Sequence, residues 1–492
     1  MTRSLSILTR GHAALTSASH PVTQRDPALA EQLIELHATL TDFRARNGFG
    51  RAMAAPQGGI AKRVIVMNLG AMPFALINPK ITWRSEAMFE VWDDCLSVPD
   101  CVVRVQRHCS ISVSYLDEQF RERIWANLPK DLSELVQHEI DHLDGILMNE
   151  RASGKDAIRP IAEHSQLIGS ARPKHRLSLD QIRKSAAVVP PEFLNSPQYN
   201  CEPLSEVLGC QLTLKLDFTN PIRSFKGRGA SFFVSEMLQR DDKRPLVCAS
   251  AGNWGQAMAY ACRSFSLPLV IYAAVNANPL KIQRMKALGA DVRLEGEDFD
   301  AAKEAAKAHA QRIGGWMVED GHEPEISEGH GTLAMELLSR GDVFDDIVIP
   351  LGNGAMLTGM ARWIKAASPA TRVIGVCASG ADSMEKSWRS NTIITPERAN
   401  TIADGIAVRV PIPEAVSDMQ GIVDDVLLID DAHIVRAMQL AHQLAGLQLE
   451  PAGAVGVAAL IAHPERFKNQ RVATVLCGSN ITKAQIEQYL SR

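Results

Sequence analysis

Short apolar runs alternate with helical patterns over the last two-thirds of the chain. PLVCAS from Pro245, LPLVIYAAV from Leu267, DVRLEG from Asp291, DIVIPLG from Asp346, RVIGVCA from Arg372 and VATVLCG from Val472 each read as a buried strand bounded by turn residues. Between them lie segments with apolar positions at helical spacing. DAAKEAAKAHAQRIGG, from Asp300, is a strongly helical surface element with charges at i,i+3 and i,i+4. This rhythm predicts a mostly parallel sheet covered by helices. Nearer the amino terminus the pattern changes. Cys101, Val103 and Val105 alternate with Val102, Arg104 and Gln106, as in a half-buried strand, and DLSELVQHEIDHLDGILMNE, from Asp131, reads as one helix. From about Ala152 to Leu177 the periodicity is weak and Gly, Pro and Ser recur, which predicts a linker with at most one short helix. The expected organisation is a domain over 1–151, a linker over 152–177 and a domain over 178–492.

A length of 492 residues exceeds what a single hydrophobic core usually supports, so more than one domain is expected on size alone. The chain has 52 Lys plus Arg against 56 Asp plus Glu, and this near balance argues against a broad nucleic-acid surface. No apolar run reaches the length of a membrane span, and the first residues lack the apolar core of a signal peptide. Nine cysteines without a CxxC pair or regular spacing do not form a disulfide framework. A cytoplasmic enzyme acting on a small molecule, binding neither nucleic acid nor membrane, is the simplest class.

In the amino-terminal part, His138-Glu139-Ile140-Asp141-His142 is an HExxH. A spacing of four puts both imidazoles on one helix face, where they can share a metal, with Glu139 placed to move a proton. Alone, the same pattern also fits two surface histidines and a solvated acid. His108, Cys101 and Cys109 read as strand residues rather than further ligands, while Arg104 is a candidate for the wall of a cleft. Gly50-Arg51-Ala52-Met53-Ala54-Ala55-Pro56-Gln57 lies upstream, Asp94-Cys95-Leu96-Ser97-Val98-Pro99 between, and Gln137 directly before the pair. In this order and spacing, residues 4–151 resemble peptide deformylases. The resemblance implies a small α+β fold in which Cys95, His138 and His142 ligate iron(II) or zinc. Glu139 would be general acid/base, and Gln57 and the backbone N–H of Leu96 would hold the oxyanion. Three protein ligands leave an open position for water. The chain departs from the family at Asp93-Asp94, where Glu-Gly is usual, and at Ala52, where glycine is usual. Both departures are expected in the wall of the substrate cleft.

In the carboxy-terminal part, Asn220-Pro221-Ile222-Arg223-Ser224-Phe225-Lys226-Gly227-Arg228-Gly229 follows the strand candidate LTLKLDF and opens a helix. A lysine held at the start of a helix, flanked by glycines that let a bulky ring approach, suits a Schiff base. Ser250-Ala251-Gly252-Asn253-Trp254-Gly255-Gln256 and Leu351-Gly352-Asn353-Gly354-Ala355-Met356 each follow a strand and precede a helix, as anion-binding turns do. Leu476-Cys477-Gly478-Ser479-Asn480 follows another strand.

With Glu325 to Thr332, Thr401 to Val408 and Glu450-Pro451-Ala452-Gly453-Ala454, residues 178–492 resemble serine/threonine dehydratases of the tryptophan-synthase-like fold. The resemblance implies a two-lobed α/β fold that binds pyridoxal 5'-phosphate. Lys226 would carry the cofactor and act as base, with Phe225 packed on the ring and Cys477 facing the pyridine nitrogen. Gly352, Asn353, Gly354, Ala355 and Met356 would form the phosphate cup. Ser250, Ala251 and Asn253 would meet the substrate carboxylate, with Asn253 also near the cofactor. A neutral Cys477 favours β-elimination over transamination. Ala251, where racemases of this kind place a proton-donating serine, argues against racemisation.

Trp254 stands where histidine is usual, and Asn353 and Ala355 replace glycines of the cup. Cys377 and Ser383 replace acids that bind a cation in several relatives, so no such site is expected, nor is a regulatory domain after Asn480. Taken together, the expected protein is a homodimeric β-eliminating ammonia-lyase acting on a hydroxy amino acid such as threonine or serine, fused to a domain able to remove an N-formyl group from its amino acid substrate. In a first alternative the amino-terminal domain is a catalytically silent docking module. In a second the pyridoxal phosphate half is a β-replacement or threonine-synthase-like enzyme.

Overall fold

The computed structural model describes residues 4–23, 26–163, 175–277 and 279–491. They divide between two compact units, Met1–Lys174 with Ala366–Ala370, and His175–Lys365 with Thr371–Arg492.

In the first unit, strands β1 (Ala52–Ala54), β2 (Val64–Met67), β3 (Phe74–Arg84), β6 (Ile111–Leu116) and β7 (Glu122–Trp125) form an antiparallel sheet in that order. Strands β4 (Met88–Cys95), β5 (Val98–His108) and β8 (Ile158–Pro160) form a second. The sheets enclose helix Lys130–Leu143, whose Val136, Ile140 and Leu143 join Ile65, Leu76 and Trp125 in one apolar cluster. That helix is shorter than the apolar periodicity predicts. It stops before Gly145, whose φ of +75° breaks the helix and whose Cβ would lie 2.9 Å from the backbone of Thr16. The expected linker is ordered where it is described at its start. Ile158–Pro160 satisfies backbone groups by pairing with Cys101–Val103 of β5. Residues 164–174 of the linker lie outside the described residues.

The second unit contains two mostly parallel sheets. One runs β17 (Asp425–Ile429), β16 (Arg372–Ala378), β15 (Asp346–Pro350), β18 (Arg471–Leu476), β10 (Gln211–Leu216), β9 (Gln198–Asn200), with β9 antiparallel. The other runs β13 (Asp291–Leu294), β12 (Leu269–Ala273), β11 (Leu246–Ala249), β14 (Trp316–Met317), all parallel. Every strand expected from the apolar runs forms at its place. Helix Phe299–Ile313 carries the alanine-rich run, capped by the Asp298 side chain and ended by Gly314 in the left-handed region. It does not lie wholly at the surface, because Ala302, Ala306 and Ala310 are buried against β11 and β12. Among the described residues no helix is long and apolar enough to cross a membrane.

The strand order sets the site. β15, β18 and β10 are neighbours, so the loops leaving their carboxyl ends come together, and these loops carry Gly352–Met356, Cys477 and Lys226. In the other sheet β11 and β14 are neighbours, and the loops after them carry Ser250–Asn253 and Asp320. Ligands of open α/β sheets bind beyond the carboxyl ends of the strands.

Candidate active sites

In the first unit the turn from β4 into β5 brings Cys95 beside the two histidines of helix Lys130–Leu143. Cys95 Sγ lies 3.2 Å from His142 Nε2, which lies 3.2 Å from His138 Nε2. One ligand atom from each of the three lies within 4.8 Å of the others, and all three residues are buried. The Ser97 N–H points back to the Cys95 sulfur at 3.4 Å, and Gln57 Nε2 reaches the same sulfur at 3.7 Å and Ser97 Oγ at 3.3 Å. Gln57 is itself fixed, since its Oε1 accepts from the Ala54 N–H at 2.8 Å. Leu96 is half-buried in the turn directly after Cys95.

Glu139 is buried next to His138, with one carboxylate oxygen lacking any partner. Burial, reinforced by the charge of Asp93, raises its pKa to about 7 against the opposing pull of His138. A carboxyl held there can both accept and return a proton. The donor set, two imidazole nitrogens and a thiolate, suits a divalent metal with an open position. His138 bonds Asp93 through Nδ1 at 2.8 Å, which turns its Nε2 toward Cys95 and His142, the orientation a metal-ligating histidine takes.

Sequence reasoning missed the support of this site. Asp93 was expected in the cleft wall, yet it turns inward. It is 2% exposed and is bonded by Arg107 Nη2 at 3.0 Å as well as by His138. Burial works against its charge, but His138 and Arg107 hold its pKa well below the usual carboxylate range. Arg107 also bonds Asp141 at 2.6 Å, and Asp141 receives Arg151 at 2.7 Å. Asp94 is half-buried and Ala52 fully buried in β1. Arg104 is held by the carbonyls of Ser153 and Lys155, at 3.2 and 2.8 Å. His108 is tied to the Ser85 carbonyl at 2.8 Å.

In the second unit Lys226 sits directly ahead of helix Gly227–Gln239, beside a cavity of about 1000 Å³. Phe225, Ser250, Ala251, Asn253, the five residues Gly352–Met356 and Cys477 line the same cavity, so every residue expected at this site is brought together. The Phe225 N–H donates to the Cys477 carbonyl at 3.1 Å, which stitches the lysine loop to the end of β18. Lys226 Nζ lies 4.6 Å from the centre of the Phe225 ring, and His330 packs on that ring at 4.7 Å. Burial, and then the charges of Lys226 and Arg228, push the His330 pKa well below its ordinary value, so it packs as a neutral ring.

Around the lysine the remaining groups are held by short bonds. The Asn253 amide donates to Glu450 at 2.6 Å and accepts from Asn480 at 2.7 Å, so its plane is set from both sides. Gly478 has no room for a side chain, since a Cβ there would lie 1.7 Å from a Glu450 oxygen. Burial raises the Glu450 pKa to about 7 and the Cys477 thiol to about 12. Ser250 Oγ accepts from the N–H groups of Gly252 and Gly255 at 3.1 and 2.9 Å, which leaves its own O–H to donate.

Gly352–Met356 runs from the turn after β15 into the first residues of helix Ala355–Ala367. Gly354 has φ +98°, and a Cβ on it would meet Ala415 at 2.9 Å. A glycine turn against the first-turn N–H groups of a helix fits a phosphate, and a neutral thiol fits a pyridine nitrogen that stays unprotonated. Among residues for which the sequence suggested no role, Glu450 positions Asn253, Lys281 pairs with Asp404 at the cavity wall, and Asp320 contacts Lys226 Nζ.

Residues 189–478 match the family model described as pyridoxal-phosphate dependent enzyme, and residues 4–157 match that of polypeptide deformylase. The chain is 34% identical to the L-threonine ammonia-lyase of Thermotoga maritima over 59% of this chain and 72% of that protein. It is 27% identical to the biosynthetic L-threonine dehydratase of Bacillus subtilis over 68% of this chain and 78% of that protein. Among solved structures, the processed threonine deaminase isoform 2 of Solanum lycopersicum superposes with a TM-score of 0.59 at 27% identity, covering 63% of this chain and 87% of that one. Maize serine racemase superposes with a TM-score of 0.59 at 25% identity, covering 63% and 96%.

Proposed function

Because the chain belongs to the pyridoxal-phosphate-dependent enzymes through residues 189–478 and carries a polypeptide deformylase domain over residues 4–157, we propose that it eliminates water from L-threonine or L-serine, giving a 2-oxo acid and ammonia, and that its first domain can release such an amino acid from its N-formyl form. The observation that carries the first part is Lys226 at the mouth of a helix in a cavity shared with Gly352–Met356 and Cys477. Bound pyridoxal phosphate supplies an electron sink for the pair released at Cα. Lys226 anchors the cofactor and takes the Cα proton at Nζ. The backbone of Gly352, Asn353, Gly354, Ala355 and Met356 holds the phosphate. The Ser250 O–H, the Ala251 backbone and the Asn253 amide receive the substrate carboxylate, with Asn253 oriented by Glu450 and Asn480. Cys477, kept as a neutral thiol, does not protonate the ring nitrogen, which favours departure of the β-substituent over long-lived charge at Cα. The purified enzyme is expected to make 2-oxobutyrate from L-threonine, and Lys226→Ala to lower that rate by at least about 10³-fold. A variant retaining activity would overturn the role of Lys226.

In the first domain Cys95, His138 and His142 would hold a divalent metal, which supplies electrophilic activation when bound. Glu139 takes a proton from the attacking water and returns it to the departing amine. Gln57 and the Leu96 N–H donate to the oxyanion. Pairing the two domains has a chemical reason: the cofactor's chemistry requires a free primary amine, and a formamide nitrogen is not one. Metal-loaded protein given N-formyl-L-threonine is expected to release formate and then 2-oxobutyrate, and Glu139→Ala to stop both while sparing turnover of free L-threonine. Absence of formate, with threonine still consumed, would leave the first domain as a docking module.

A further inference from the structure

Asp320 has no part in the roles above, yet it touches the reacting amine. After β14 the chain turns at Gly321, which has φ +96°, and a Cβ there would lie 2.6 Å from the carbonyl oxygen of Asn353. Only glycine lets this turn pack on the loop after β15. Asp320, directly before it, is thereby set in the cavity wall. Its Oδ2 pairs with Lys226 Nζ, its side chain is 4% exposed, and its Oδ1 is buried with no hydrogen-bond partner. Of the other acids lining the cavity, Asp300 pairs with Arg409, Glu319 with Lys303, Asp404 with Lys281 and Glu450 with Asn253, Asp298 caps a helix, and Glu397 is exposed to solvent. The partner of Asp320 is the lysine that the cofactor occupies. A buried carboxylate with one oxygen unmet is costly unless a ligand completes it.

We propose that Asp320 is the acid that protonates the departing β-substituent, so that the leaving group of the natural substrate is a hydroxyl. The inference rests on the β-elimination reading above. Lys226 Nζ takes the Cα proton, the Cα–H electron pair becomes the second Cα–Cβ bond, and the Cβ–O pair leaves with oxygen. The proton passes from Lys226 along its hydrogen bond to Asp320, and from Asp320 to that oxygen. Water departs, both residues regain their starting charge, and the enamine product then hydrolyses to the 2-oxo acid and ammonia. Asp320 is suited to this because it reaches the amine that acts on Cα, and the leaving group sits on the next carbon.

The test compares L-threonine with 3-chloro-L-alanine on the cofactor-loaded full chain, since chloride departs without a proton. Asp320→Asn is expected to lower threonine turnover by about 10²–10⁴-fold and chloroalanine turnover by no more than about threefold, with Asp320→Glu recovering part of the threonine loss. A second readout needs no turnover. Asp320 favours the protonated form of the cofactor-bearing nitrogen, so the visible absorption of substrate-free Asp320→Asn should titrate about 1–3 pH units lower than that of the wild type. Other titratable groups near Lys226 are His330, held neutral, and Cys477, held as the thiol, while Glu450 and the Lys281–Asp404 pair line the same cavity, and the substitution alters none of these residues. Equal losses on the two substrates would overturn the proposal, since Asp320 would then serve the Cα step or the packing. Undiminished threonine turnover would also overturn it, and would move the proton source to the cofactor phosphate. Wild-type enzyme inert toward both substrates would instead sink the elimination reading itself.

Discussion

Replacing Arg228 with methionine removes the cation that holds together the base of the lysine helix. Arg228 is 0% exposed, and its guanidinium makes seven hydrogen bonds: three to Asp217, two to Glu336 and one each to Thr332 and Ser196, at 2.5–3.2 Å. Breaking a buried ion pair by removing one partner costs about 3–5 kcal/mol, because the partner is left charged and unpaired. Here Glu336 keeps a second cation, Lys215, at 2.6 Å, so the loss falls mainly on Asp217 and the lower end, about 3 kcal/mol, applies. The assay is amide hydrogen exchange of helix Gly227–Gln239, because a chain of two units has no single unfolding free energy. At a tenfold change per 1.36 kcal/mol, exchange through opening of this helix should quicken by roughly 10²-fold. Adding Asp217→Asn should recover at least about 1 kcal/mol, since it removes the stranded charge. An effect below about 1 kcal/mol in the single variant, or no recovery in the double one, would refute the claim that uncompensated charge governs this site.

Three further outcomes follow from particular contacts. Asp93→Asn weakens the carboxylate that orients His138, and should raise the dissociation constant for divalent metal about 10–100-fold in equilibrium dialysis. Gly227→Ala places a Cβ 2.1 Å from the Phe193 ring, which is buried in the core. Amide hydrogen exchange of helix Gly227–Gln239 should register about 1–3 kcal/mol of overpacking, with cofactor occupancy falling because Lys226 is the neighbouring residue. Burial raises the Glu323 pKa to about 8, above its unfolded value near 4.5, so its stabilising contribution is complete below about pH 4.5 and is lost as the pH rises through about 8. Glu323→Gln should flatten that part of the pH–stability curve. A variant curve that parallels the wild type between pH 5 and 8.5 would contradict this.

Local pattern was enough for much of this protein. An HExxH on one helix face, apolar runs bounded by turns, and glycines where a strand hands over to a helix are all short-range signals. They pointed to the alternating α/β pattern, the His138–His142 pair and the turns after the strands, while Cys95 as a third ligand and the cofactor role of Lys226 came from the resemblance to two families. The end of helix Lys130–Leu143 was less legible, because apolar periodicity continues past the point where Gly145 must meet the backbone of Thr16.

The supporting groups carried no local signature. Asp93, Arg107, Asp141 and Arg151 lie on β4, on β5, on a helix and in a short 3-10 helix, and only the tertiary fold brings them into one network, with Arg151 at its exposed edge. Asn253 and Asn480, more than two hundred residues apart, follow β11 and β18, and Glu450, at the start of helix Pro451–Ala462, meets Asn253 there. Asp320 reads in sequence as an ordinary acid before a turn glycine. Its contact with Lys226 exists only because β14 pairs with β11 in one sheet, β10 lies in the other, and the loops beyond the carboxyl ends of both open on one cavity. The sequence by itself determined which elements form and, through spacing along a helix and resemblance to two families, which residues to expect at the metal and cofactor sites. Tertiary structure alone decided which charges face them, because long-range strand order sets which loops become neighbours.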